Sequence, residues 1–164
     1  MSAYITLATP MTDRQCLLDA LADLEFGSNK VEVHEDAVPL VGYRGRRRSQ
    51  QANIIIRRQH VGGSSNDVGF LETETGYRAY VSGFDHPRFG TEWLSKIHER
   101  YQIHWSVKQE RLAEEERRQQ EEARKRLVEA QRLAVHERAK KLGYRVKESK
   151  EGETVRLVLV KRTY

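Results

Sequence analysis

The residues richest in chemical possibility lie between Val41 and Arg58, in the run VGYRGRRRSQQANIIIRR. Arg44, Arg46, Arg47 and Arg48 crowd around a glycine, and Arg57 and Arg58 follow an isoleucine run. A guanidinium carries a planar fork of donors that matches the oxygens of phosphates and carboxylates. At this density the arginines point to one of two binding chemistries. They could neutralise the phosphates of a nucleic acid, with Tyr43, Tyr77 or Tyr80 stacking on bases, or they could meet an acidic partner protein. A structural reading stands beside both, because arginines bracketing a strand keep a sheet edge soluble and four of them fall in a predicted loop. No aromatic RNA-reading strand motif accompanies them, so the nucleic-acid reading rests on charge. That charge is local. The window from Ala37 to Asn66 holds six arginines and no acidic residue, while the whole chain carries +5, so the remainder is slightly acidic.

Other reactive residues are scattered. The histidines (34, 60, 86, 98, 104 and 136) form no i, i+4 pair and no HExxH motif, and Cys16 is the single cysteine, so no zinc cage and no internal disulfide are expected. VGGSSN lacks the lysine and following helix of a phosphate loop and reads as a turn. Cys16 falls on the apolar stripe of a predicted helix, where a small buried side chain is the expectation. Glu72 and Glu74 sit on one face of a predicted strand and read as solvated. No catalytic residue, cofactor or metal site emerges, and the expectation is a protein without enzymatic activity.

The elements that must position the arginines read as an α+β chain. At 164 residues, one domain with a real core is expected. A first strand in AYITLAT leads to a helix capped by Thr12 or Asp13, striped by Cys16, Leu17, Leu18, Leu21 and Leu24, and ended by Gly27. KVEVHED alternates as a short strand before Pro39. QANIIIRR, apolar on both faces for three residues, fits a strand in the middle of a sheet. DVGFLETETGYRAYVSG reads as a hairpin turning at Thr75-Gly76, and FDHPRFG as a loop.

From Thr91 to Leu142 there is neither glycine nor proline. Trp93, Leu94, Ile97, Tyr101 and Trp105 share a face that should pack on the sheet. The middle has little to bury but offers Glu114–Arg118, Glu121–Lys125 and Glu122–Arg126 pairs, each worth ~0.3–0.5 kcal/mol. A second stripe at Ala123, Leu127, Ala130, Ala134 and Leu142 precedes Gly143, which should close the helix. An unbroken helix here would run roughly 75 Å, so it either protrudes or folds back as a helical hairpin. YRVKESKEGETVRLVLVKRTY closes the chain as two strands turning at Glu151-Gly152; the last is apolar on both faces and should lie inside a sheet.

Several stretches together resemble one family. They are SAYITLATPMTDRQCLLDALADL, VGYRGRRRSQQANIIIRR, DVGFLETETGYRAYV, ERYQIHWSVKQE and AKKLGYRVKESKEGETVRLVLVKR. In order and spacing they are similar to the hypothetical chloroplast open reading frame thirty-five family of cyanobacteria, red-algal plastids and other bacteria. The shared features are dispersed: Tyr43-x-Gly45, Asp67-x-Gly69-Phe70, Gly76-Tyr77, Arg100-Tyr101 and Gly143-Tyr144. The resemblance implies a small α+β protein with no established activity. Genes of the family often sit near one for an AAA-type ATPase, which implies an accessory role. The segment from about Lys108 to Arg138 departs from the family as an insertion that lengthens a helix.

The expectation is therefore a single α+β domain over 1–164: an N-terminal βα unit, a small antiparallel sheet of hairpins, and one long charged helix before a C-terminal β-hairpin. Residues 107–140 form the charged helical insertion. The favoured function is a non-enzymatic interaction or accessory protein acting through a protein partner, an AAA-type ATPase being one candidate. The candidate helix interface is Arg117, Arg118, Arg124, Lys125 and Leu127. The alternative is a nucleic-acid-binding module using Arg44, Arg46, Arg47, Arg48, Arg57 and Arg58. Self-association through the second apolar stripe is a further option. No secretory signal or membrane-length apolar run is present, so a soluble, cytoplasmic protein is expected.

Overall fold

The computed structural model describes residues 3–152 and 154–161. Its elements are β1 (Tyr4–Ala8), α1 (Arg14–Asp23), β2 (Val31–Val41), β3 (Arg47–Ile56), α2 (Arg58–Val61), β4 (Val68–Thr73), β5 (Gly76–Ser82), α3 (His86–Phe89), α4 (Thr91–Lys141), β6 (Tyr144–Glu151) and β7 (Thr154–Lys161). A 3₁₀ turn, Tyr43–Gly45, joins β2 to β3. The fold is α+β, with an N-terminal βα unit, an antiparallel sheet, a long helix and a C-terminal hairpin. Contacts gather into two compact units, Met1–Gln109 and Glu110–Tyr164.

In the first unit five antiparallel strands run in the order β1-β5-β4-β3-β2. The isoleucine run of β3 lies between β2 and β4 and is buried from Ala52 to Ile56, as its two apolar faces require. On one sheet face Ile54, Ile56, Phe70 and Ala79 meet Leu17 and Leu21 of α1 and Leu94, Ile97 and Tyr101 of α4. Each large side chain buried there contributes ~1.5–3 kcal/mol. Trp93 and Trp105 pack against the same cluster, as the helical spacing foretells. Tyr101 also ties the two helices: its hydroxyl accepts from the Thr12 and Asp13 amides at 3.1 and 3.0 Å.

Asp13 caps α1, its carboxylate accepting from the Cys16 amide at 2.9 Å. The end of α1 differs from the sequence expectation. Glu25, at φ 73°, takes the left-handed position that Gly27 was expected to supply. Phe26 N–H donates to Leu21 O at 2.9 Å and Glu25 N–H to Ala22 O at 3.1 Å, the paired bonds of a Schellman closure. Buried Phe26 and Leu21 share the core cluster and fix the chain's exit there.

Three further expectations are corrected. β2 does not stop before Pro39 but continues to Val41, because it is the sheet's edge strand and its register is irregular around the proline. FDHPRF is not all loop, since His86–Phe89 form one helical turn with Pro87 in its first turn. Glu74 lies in the β4–β5 turn, not on the strand with Glu72.

The register shift between Val33 and Val38 bends the β2–β3 hairpin back over the second sheet face. Asn53 stitches the bend: its Nδ2 donates to Glu35 O at 3.0 Å and its Oδ1 accepts from Glu72 N–H at 3.0 Å. Leu40 and Ala52 thereby join Ile55 and Tyr80 in a second apolar cluster. Gly69 permits the approach, because a Cβ there would lie 2.7 Å from both Ala52 Cβ and Leu40 Cδ2.

In the second unit α4 continues without a break to Lys141, so residues 107–140 form no helical hairpin. Gly143, at φ 76°, follows its end where expected. β6 and β7 pair in register from Tyr144↔Lys161 to Glu151↔Thr154 and make a two-stranded sheet. The last strand therefore does not lie inside a sheet. Val158, Leu159 and Val160 are exposed. Arg132 makes a fork on Glu148, Nε and Nη2 each at 2.7 Å, and His136 joins the same carboxylate.

Candidate functional site: an arginine cleft

The bent hairpin carries the arginine turn across the sheet to the segments that precede β4 and follow β5. Val41 and Asp67 seal this closure. Asp67 N–H donates to Val41 O at 2.9 Å, and Val41 N–H donates to Asp67 Oδ2 at 2.8 Å. Next to it, Tyr43 N–H donates to Asn66 Oδ1 at 2.7 Å. The result is a cleft of about 590 Å³ lined by Tyr43, Arg44, Arg46, Arg48, Ser64, Asn66 and Phe84. Among the described residues, no acidic side chain lines it.

The turn is unusual in its backbone. Arg44 has φ 68° and ψ 18°, and Gly45 follows at φ 75°. A left-handed arginine costs on the order of 1 kcal/mol, and the closing bonds Gly42 N–H to Arg46 O (2.8 Å) and Gly45 N–H to Gly42 O (3.0 Å) hold it there. Arg44 lies over the Tyr43 ring, 5.4 Å from its centroid. Arg48 passes over Gly42, where a Cβ would come within 2.5 Å of its Nε, and reaches the Tyr4 ring at 6.0 Å. Asn66 is 2% exposed, and its Nδ2 has no hydrogen-bond partner among the described residues.

The six sequence candidates are thus divided. Arg44, Arg46 and Arg48 share the cleft. Arg47 and Arg58 line a different depression with Glu32, His34, Arg57 and Asp67, where acidic groups offset the basic ones. Arg47 and Arg48 open strand β3 rather than sitting in a loop. Arg57 is a structural residue: its Nη1 donates to Asp67 Oδ2 and its Nε to Glu32 Oε2, both at 2.8 Å. The Glu32 hydrogen bond comes first among the causes that hold the Arg57 guanidinium above its ordinary pKa, and Arg57 in turn holds the Glu32 carboxyl below its usual range. The aromatic partners also change. Tyr77 and Tyr80 are buried in the sheet, whereas Tyr43 is 47% exposed and Phe84 is 66% exposed. Phe84 carried no sequence signal, because an aromatic in a loop of unknown path cannot be assigned a neighbour.

Cys16 is buried in the core cluster, and burial, then Asp13, pushes its thiol up to about 11. Glu72 is paired with Arg14 at 2.8 Å. Among the described residues no group of three or more metal-ligating side chains converges, and no helix is long and apolar enough to cross a membrane.

The candidate helix residues Arg117, Arg118, Arg124, Lys125 and Leu127 are all exposed on α4 in the second unit. Arg124 and Lys125 line a groove of about 580 Å³ with Val128 and the hairpin residues Lys150, Gly152 and Val155. Of the expected helix pairs, Glu121–Lys125 forms at 2.6 Å and Glu122–Arg126 at 4.0 Å.

Comparison with known proteins returns no matching family model, no matching curated protein and no matching solved structure.

Proposed function

We propose that the chain is a non-enzymatic interaction protein that binds a protein partner through its second unit. One observation carries this reading. Among the described residues of Glu110–Tyr164, Ala139 is the single buried hydrophobic residue, while Leu112, Leu127, Leu133, Leu142, Val158 and Leu159 are each at least 45% exposed. A two-stranded hairpin on one helix buries too little to be robust alone, and apolar side chains left this exposed on the helix and hairpin favour a covering partner. Among the described residues no third strand pairs with β6 or β7, an arrangement suited to strand addition by a partner.

Acidic and basic side chains line the groove together, Glu121 and Glu129 beside Arg124, Lys125 and Lys150, and would set its register against a rim of mixed charge on the partner. The resemblance to the chloroplast open reading frame thirty-five proteins suggests an AAA-type ATPase as that partner. A second copy of the chain is the competing occupant. The test is affinity recovery of the full-length protein from its host with and without nuclease, in wild type and in Leu127→Glu/Val158→Asp. A defined protein that survives nuclease and is lost in the variant supports the reading. Recovery unaffected by the variant contradicts it.

The second reading, a nucleic-acid-binding module, is favoured by the shared cleft of Arg44, Arg46 and Arg48 in the first unit.

A further inference from the structure

We propose that the arginine cleft of the first unit is a binding site for a phosphorylated nucleoside unit, free or within a single strand. The phosphate sits on Arg44 and Arg46, and the base stacks on Tyr43 or Phe84. The site lies within the first unit and deepens the second reading above, and it does not depend on the protein-binding reading.

Four features of the cleft converge on this ligand. At about 590 Å³ it has the capacity of a small-molecule site. Its charged lining consists of guanidinium groups alone among the described residues, which suits a phosphate and repels a cation. Tyr43 and Phe84, 47% and 66% exposed, stand on the lining itself, and every nucleobase offers a π-face to such rings. Finally, Asn66 is fixed through its Oδ1 to the Tyr43 amide and keeps a buried Nδ2 donor without a partner among the described residues. A buried amide donor left unmet costs about 1–3 kcal/mol, so this wall of the cleft gains if an acceptor oxygen is admitted to it.

The strained turn fits the same purpose. Arg44 is held in a left-handed conformation by two backbone bonds, and its guanidinium lies beside the Tyr43 ring. Energy stored in this way is found where a side chain must be placed in advance of its ligand. An acidic peptide would use the arginines equally well but gains nothing particular from two exposed rings flanking them. The aromatic residues therefore decide between the two ligands.

The experiment titrates full-length protein with a fluorescently labelled single-stranded oligouridylate, with uridine monophosphate, inorganic phosphate and polyglutamate as competitors. Tyr43→Ala/Phe84→Ala is expected to weaken oligonucleotide binding by about tenfold or more, since stacking supplies much of such affinity. Arg44→Ala/Arg46→Ala is expected to weaken binding and to lower the slope of log affinity against log salt by about 1.4, for two single-strand phosphates. Phe84→Trp is expected to retain binding and to show fluorescence quenching as the base stacks. These side chains are exposed, and an unchanged thermal midpoint checks that each variant is folded. Displacement by uridine monophosphate identifies a free nucleotide as sufficient. Displacement by oligonucleotide alone identifies a single strand. Either outcome upholds the site. Wild-type affinity in the aromatic variant, equal competition by polyglutamate, or no binding of either nucleotide probe overturns it.

Discussion

Arg57 donates from Nη1 to Asp67 Oδ2 at 2.8 Å, and Asp67, with its side chain 1% exposed, also accepts from the amides of Val41 and Arg58 at 2.8 Å. One buried carboxylate thus ties together the ends of β2 and β3 and the start of β4. A charge that is buried survives because it is paired and fully hydrogen-bonded. Removing the cation strands the anion. Arg57→Ala is expected to lower unfolding free energy by about 2–4 kcal/mol, whereas Arg44→Ala on the exposed turn should stay within about 0.5 kcal/mol. Chemical denaturation of the two variants checks the contrast.

Gly69 has a different kind of necessity. A side chain there meets Ala52 and Leu40 at 2.7 Å, so the folded-back hairpin must lift. Gly69→Ala is expected to cost about 1–3 kcal/mol, the usual range for overpacking a filled core. Because the same hairpin carries Tyr43, Arg44, Arg46 and Arg48, it should also weaken ligand binding at the cleft. A denaturation curve and a nucleotide titration on the same preparation measure both effects.

Cys16 is expected to be inert in the native protein. Its thiol is buried and pushed up to about 11, so little thiolate exists at neutral pH. Reaction with a thiol-specific reagent should be slow until denaturant is added and then rapid. Fast labelling of the folded chain would contradict this.

Glu148 is one carboxyl of the second unit whose ion pair responds to acid, and as an exposed pair its contribution is small. Arg132, and after it His136, hold its carboxyl at about 2, below the ordinary 4.5. A depressed carboxylate adds stability that is complete above the unfolded-state value and fades as pH falls from about 4.5 towards about 2. The contact between α4 and the hairpin should therefore weaken progressively below about pH 4.5 and lose this contribution near pH 2. NMR titration of the Glu148 carboxyl carbon is expected to show a midpoint near 2. A midpoint in the usual carboxylate range would mean that the Arg132 fork does not form in solution.

Much of the fold was legible because the signals were local. The isoleucine run marked β3 as an interior strand, and the absence of glycine and proline marked α4 from end to end. The arginine cleft was legible only in part. Arg44, Arg46 and Arg48 were visible as a cluster, but Arg57 could not be separated from them without its carboxylate partners Glu32 and Asp67. The bend that gathers Tyr43, Asn66 and Phe84 depends on a bulge between Val33 and Val38, where VHEDAV holds neither glycine nor proline to announce it. The last strand misled for a physical reason. Apolar residues on both faces usually mean neighbours on both sides, yet β6 is the partner of β7 within this chain and much of the remaining apolar surface stays open. That open surface is what motivates a partner.

Hydrogen exchange of the full-length protein, free and in the nuclease-treated complex recovered from its host, tests this most directly. In the free protein the amides of β6 and β7 should exchange at least about a hundredfold faster than those of Ile54–Ile56, because a hairpin without a core opens locally. In the complex they should become protected while the first unit is unchanged. Hairpin amides as protected as β3 in the free monomer, or unaltered in the complex, would contradict a second unit that completes its core on another chain.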